Sequence, residues 1–154
     1  MDINLKNKNA IVCGSTQGIG EASAIELANL GANITLIARN ESKLLNVLND
    51  LDKSKGQTHS FIAIDFRDSD KLKEEVKLLS ANYHILINNT GGPASGPITD
   101  ANTTSFEEAF RMHLINNQIL VQKVVNGMKK EKYGRIVNII STSVKAPILG
   151  LGVS

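Results

Sequence analysis

Residues 10–20 read Ala-Ile-Val-Cys-Gly-Ser-Thr-Gln-Gly-Ile-Gly, a short apolar run that breaks into a glycine-rich turn and passes at once into a helical pattern. Few folds accept that order. The apolar run predicts a strand that carries the backbone to the edge of a sheet, and Gly14 permits the tight turn after it. Gly18 and Gly20 let the main chain come close to a bound group and let the next helix pack against the strand. The free N–H groups in that helix's first turn, with Ser15, Thr16, Gln17 and Ile19 around them, then suit the negative charge of a nucleotide diphosphate.

Strand and helix patterns alternate along the rest of the chain, which predicts an α/β fold, a doubly wound parallel sheet with helices on both faces. The first strand core is Ala10 to Cys13, and a helix from about Ile19 to Leu30 carries Ile19, Ala22, Ile25 or Glu26, and Leu30 near helical spacing, with Gly31 ending it. Asn33 to Ala38 reads as strand two. Leu44, Val47, Leu48 and Leu51 repeat at helical spacing, Ser60 to Ile64 is strand three, and Leu72, Val76 and Leu79 mark a third helix. His84 to Ile87 is a brief fourth strand, followed from Thr90 to Pro97 by a loop rich in glycine and proline. Thr104 with Glu107, and Ser105 with Glu108, offer capping boxes for one long helix to about Lys130. Arg135 to Ile140 is strand five. The whole reads as a single dinucleotide-binding domain over residues 1–154, with no repeat or linker.

Composition narrows the partners. A formal charge of +2 is too small to argue for nucleic acid, and no apolar run is long enough to span a bilayer. Lys129, Lys130, Lys132 and Arg135 form the densest basic stretch, but they fall at a helix end, where cations complement the dipole. The single cysteine, Cys13, cannot form an internal disulfide and reads as a small buried strand residue. No metal-binding pattern is present. With no secretory signal at the N-terminus, a cytoplasmic location is expected.

Taken together, the blocks along the chain resemble the short-chain dehydrogenase/reductase family, including members that act as 3-oxoacyl-acyl-carrier-protein reductases. The glycine turn matches the family's Thr-Gly-x-x-x-Gly-Ile-Gly with Cys13 in place of threonine. Asp65 ends strand three, followed by Phe66, where members hold the adenine. Asn88-Asn89-Thr90-Gly91 matches Asn-Asn-Ala-Gly, and residues 134–141 match Gly-Arg-Ile-Val-x-Ile-x-Ser. The resemblance covers the whole chain and implies that it corresponds to the N-terminal part, about three-fifths, of a longer reductase, its sheet truncated after the fifth strand. Ile136, Val137, Ile139 and Ile140 then lie on an open sheet edge.

The end of strand two bears on the cofactor. A carboxylate there would bind a ribose 2′-hydroxyl; Ala38 is neutral and Arg39 and Asn40 follow, so the resemblance implies NADP(H) over NAD(H), with the guanidinium on the 2′-phosphate. The alternative is an exposed strand-to-helix turn with Asn40 as N-cap. By the same resemblance the chain binds a small carbonyl or alcohol substrate, works as a homo-oligomer and transfers a hydride. The family's carbonyl-holding serine is Ser141. Its asparagine position holds His113 and its tyrosine position holds Ser154, and no Tyr-x-x-x-Lys exists in the chain, since Ile87 and Val137 follow Tyr83 and Tyr133 by four. His113 is read either as a half-buried histidine beside Phe106, Ala109 and Phe110 or as a relay, with Asn116 and Asn117 as alternatives. A catalytically silent dinucleotide-binding protein, regulatory or structural, is the competing class; a methyltransferase is disfavoured by the Asn-Asn-Thr-Gly block.

Overall fold

A computed structural model describes residues 3–154. Five strands, β1 (Asn9–Cys13), β2 (Asn33–Ala38), β3 (Ser60–Ala63), β4 (Ile85–Asn88) and β5 (Arg135–Asn138), form one parallel sheet in the order β3-β2-β1-β4-β5. Chain order reverses between β1 and β4, which opens a crevice at their carboxyl ends. This is the doubly wound parallel sheet that the alternating pattern predicts.

Helices α1 (Gly18–Asn29) and α2 (Glu41–Asp50) cover one face, where Ala24, Ala28, Leu44 and Val47 pack on Ala10, Val12 and Leu36. On the other face, α3 (Ser69–Leu78) and the later helix contribute Leu72, Val76, Leu120 and Val124 over Ile11, Ile37 and Leu86. Alternate residues of β1 thus feed opposite cores, as two-sided burial requires.

Local details depart from the periodic reading for identifiable reasons. The buried face of α1 is Gly20, Ala24 and Ala28, while Ile19 is 58% exposed; small residues let the helix lie close on the sheet. β4 begins one residue later than expected, and β5 stops at Asn138 because its ladder partner β4 ends at Asn88. β3 likewise ends at Ala63, where its pairing with β2 at Ala38 stops. The expected single helix to Lys130 is instead α4 (Thr103–Phe110), a π turn (Arg111–Ile115) and α5 (Asn116–Lys130). Its cap is Asn102, whose Oδ1 accepts the Ser105 N–H at 2.8 Å, so Thr104 and Ser105 lie inside the helix and neither capping box forms. A π turn carries an extra residue and rotates the remainder of the helix by about 100°. Phe106 and Phe110 are exposed, while His113, read on their face, is half-buried within the turn.

His59 ties two strands together. Its Nδ1 accepts the Ile34 N–H at 3.1 Å, and its Nε2, 2.9 Å from the Asp52 carbonyl, must carry the proton. Burial pushes its pKa below 6.5, so the folded state favours the neutral ring. The stability this gives is complete above the unfolded value and is lost as pH falls through the lower folded value. The urea midpoint is expected to drop on acidification below about pH 6.5, and His59→Asn, which keeps an acceptor near the Nδ1 position, is expected to flatten part of that drop. An identical profile in the variant would assign the titration elsewhere.

Candidate functional site

A cleft of about 640 Å³ lies over the carboxyl ends of β1 to β4. The β1–α1 turn supplies Gly14, Thr16, Gln17, Gly18 and Ile19; the end of β2 supplies Ala38, Arg39 and Asn40; the segment after β3 supplies Asp65, Phe66 and Arg67; and the loop after β4 supplies Asn89, Thr90, Gly91, Gly92, Pro93 and Ala94. Nearly every residue proposed from sequence for a dinucleotide is thus brought to one space. Two are not on its walls. Ser15 is fully buried with its hydroxyl 3.5 Å from the Ile37 carbonyl, because the turn points that side chain back into the sheet. Gly20 is buried behind the turn, where a Cβ would run into the Gly14 carbonyl.

The turn itself is built for close approach. Gly14 and Gly18 have φ of +59° and +58°, which L-residues with side chains rarely adopt. A Cβ on Gly18 would meet nothing within 4 Å, so the space beside it is open to a bound group. Asn89 braces the turn from β4, its Nδ2 3.3 Å from the Cys13 carbonyl and 3.4 Å from that of Gly14. Gln17, the N-cap of α1, makes no side-chain cap bond, and the first-turn N–H groups are left for a ligand. Burial pushes the Cys13 thiol up to about 12, which leaves it an uncharged packing group under the turn.

Cations dominate the β2 end. Arg39 is joined there by Lys43, which sequence reasoning does not single out although it sits in the first turn of α2, shortly after the arginine. Asn40 is an N-cap, its Oδ1 accepting the Lys43 N–H at 3.0 Å and the Ser42 hydroxyl at 2.8 Å, so the alternative reading of Asn40 holds while its side chain also lines the cleft. Asp65 uses one carboxylate oxygen on the Arg67 N–H at 3.0 Å. Glu108 of α4 and Met112 of the π turn close the cleft on that side; no sequence signal marks them as cleft residues.

The residues that the sequence resemblance puts forward for catalysis are not among those lining the cleft. His113 touches the Gly91 backbone, and burial holds its pKa below the usual 6.5. Asn116 cannot take over a relay: fully buried, its Nδ2 donates to the Phe66 carbonyl at 2.5 Å and its Oδ1 accepts the Ser69 hydroxyl at 2.6 Å. Ser141 is exposed just past β5, and the Ser143 hydroxyl lies 2.7 Å from its Oγ and 3.4 Å from the Ser154 carbonyl, so positions 141 and 154 are neighbours. The segment before Ser154 is pinned to the loop after β4 by a bridge between Gly96 and Leu151. Neither tyrosine lines the cleft: Tyr83 is buried with its hydroxyl 2.9 Å from Thr35 Oγ1, and Tyr133 lies between Lys8 and Arg135. Among the described residues no cluster of three or more His, Cys, Asp or Glu is placed to hold a metal, and no helix is long and apolar enough to cross a membrane.

Comparison with known proteins agrees with this geometry. The short chain dehydrogenase family profile matches residues 8–153. The chain is 29% identical over 153 residues to a mouse 3-ketodihydrosphingosine reductase, covering 95% of the chain and 46% of the relative. It is 35% identical over 143 residues to a human protein named inactive hydroxysteroid dehydrogenase-like protein 1, covering 90% of the chain and 43% of that protein. Among solved structures, L-sorbose reductase from Gluconobacter frateurii in complex with NADPH and L-sorbose superposes with a TM-score of 0.89 at 26% identity, covering 99% of the chain and 59% of the reductase. The chain therefore spans about half the length of these curated relatives and three-fifths of the solved one.

Proposed function

Since the chain belongs to the short-chain dehydrogenase family, we propose that its cleft binds NADP(H) in preference to NAD(H) and that it forms the cofactor-holding part of an oxidoreductase acting on a carbonyl or alcohol. The observation that carries this is the open space beside Gly18 at an uncapped helix N-terminus, in the same cleft as Arg39 and Lys43. When bound, the nicotinamide supplies or accepts the hydride. The chain's own residues do the rest. The α1 N–H groups hold the pyrophosphate, Asp65 and Phe66 flank the adenine, and Arg39 with Lys43 neutralises the 2′-phosphate. Ser141 donates a hydrogen bond to the substrate oxygen, which stabilises charge that grows there in the transition state.

Cofactor choice is directly measurable. NADPH is expected to bind more tightly than NADH in a fluorescence titration, and Arg39→Ala to narrow the gap by about 1–3 kcal/mol, the range for a charge-assisted hydrogen bond. Lys43→Ala is expected to narrow it less, because a lysine meets phosphate as a point charge without the guanidinium's paired donors. Equal affinities in the parent protein would remove the NADP(H) assignment.

A second reading, a dinucleotide-binding protein without turnover, is favoured by one specific observation. No tyrosine reaches the site, and the tyrosine position holds Ser154.

A further inference from the structure

Ser141 is held in an unusual way by its neighbour two residues on. Its Oγ accepts the Ser143 N–H at 3.1 Å and also the Ser143 hydroxyl at 2.7 Å. A serine oxygen has two lone pairs and one proton. With both lone pairs engaged, the remaining hydrogen-bonding capacity of Ser141 is to donate.

We propose that Ser143 is a positioning residue that fixes Ser141 as a one-way donor, its proton turned outward to the substrate oxygen; this rests on the proposed function, in which Ser141 holds that oxygen. An unsupported serine hydroxyl rotates and accepts as readily as it donates. Here the donor role is set before substrate arrives, which is the preorganisation that makes such groups effective. A hydroxyl that accepts a bond is also polarised into a better donor. Capping alone does not explain the contact. Ser141 caps the short 3-10 turn Thr142–Val144 through the Ser143 backbone N–H, and that bond needs no side chain at position 143. The Ser143 hydroxyl is a separate addition, on a half-buried residue between two exposed ones. The Ser154 carbonyl, at 3.4 Å, is the competing acceptor for the Ser143 proton, and the 2.7 Å contact has the length of an ordinary O–H···O bond where 3.4 Å does not.

Neutron diffraction of the deuterated chain tests the arrangement without any ligand. The expected map has the Ser143 deuteron directed at Ser141 Oγ and the Ser141 deuteron pointing away from Ser143; a Ser141 deuteron pointing at Ser143 overturns the proposal. Its consequence is read by isotope-edited infrared spectroscopy of carbon-13-labelled acetone with NADP+-saturated protein. The carbonyl band is expected to shift down in the parent, to lose that shift in Ser141→Ala, to lose most of it in Ser143→Ala and to regain it in Ser143→Thr. A Ser143→Ala band equal to the parent's, with the shift lost in Ser141→Ala, sinks the positioning role alone. A parent band equal to that of Ser141→Ala sinks the carbonyl-holding role of Ser141, and the inference falls with it.

Discussion

Replacing Gly18 with valine is expected to abolish dinucleotide binding while leaving the protein folded. The two effects separate here because of where the glycine stands. A Cβ on Gly18 meets no protein atom within 4 Å, so the cost to the fold is the left-handed backbone at φ +58°, about 1–2 kcal/mol for a residue with a side chain. The valine methyl groups would instead fill the space through which the pyrophosphate must reach the α1 N–H groups. Losing two charge-assisted hydrogen bonds of about 1.5–3 kcal/mol each lowers affinity about 10²–10⁴-fold. Gly14 is a poorer test, because its Cβ would come within 2.6 Å of Asn89 Nδ2 and 2.8 Å of the Asn89 carbonyl, so valine there displaces the brace as well as the ligand. Calorimetric titration with NADPH beside a urea unfolding curve decides the matter. A folded Gly18→Val protein with parental affinity would mean that the cleft is not the binding site.

The turn is legible in the sequence because its chemistry is local: glycines at fixed offsets between a strand and a helix state a backbone conformation that tertiary contacts then use. The same holds for the order of strands and helices, since two-sided burial leaves continuous apolar runs such as Ile85 to Ile87. What periodicity cannot show is the π turn. Residues 103–130 satisfy a helical pattern, and the extra residue at Arg111–Ile115 emerges only when α4 and α5 are docked. Several site assignments turn on it. The half-burial of His113, the arrival of Met112 at the cleft and the commitment of Asn116 to Phe66 and Ser69 all depend on the phase of the helix around that turn.

Side-chain partnerships are illegible for a related reason. The family resemblance assigns Asn89 to the cleft, and it does line it, but its amide also braces the Cys13 and Gly14 carbonyls across the switch point, 76 and 75 residues away in sequence. The glycine turn puts Ser15 among the expected cleft residues as well, yet its side chain goes inward, with its hydroxyl 3.5 Å from the Ile37 carbonyl. Spacing names the residues that share a loop. Which way each one faces is settled by the backbone angles between them.

Turnover is where the serine at the tyrosine position is expected to show its largest effect. With NADPH bound, the 154-residue chain is expected to reduce ketones and aldehydes about 10²–10⁴-fold more slowly than a family member that has the tyrosine and lysine, the range lost with general acid catalysis. Each candidate donor fails for a reason visible in the structure. Ser141 can hold an oxygen but a serine hydroxyl is far too weak an acid to release its proton near neutral pH. Tyr83 is buried under the sheet with Thr35, and burial raises its pKa. His113 stands closest to a working acid, touching Gly91 of the cleft loop, but burial lowers its pKa, so the protonated form that could donate is scarce at neutral pH and gains population only as pH falls. That sign supplies the diagnostic. NADPH oxidation by the purified chain, measured from about pH 5 to 8 with a panel of carbonyl compounds and compared with Ser141→Ala and His113→Asn, is expected to stay at that reduced level throughout, with no rise as pH falls. Robust, Ser141-dependent turnover would overturn the expectation, and its pH profile would say which group had replaced the tyrosine: a rate that climbs below about pH 6.5 and disappears in His113→Asn would assign the proton to His113, whereas a flat profile indifferent to that substitution would leave Ser154, beside the Ser143 hydroxyl that also contacts Ser141, as the residue through which it passes.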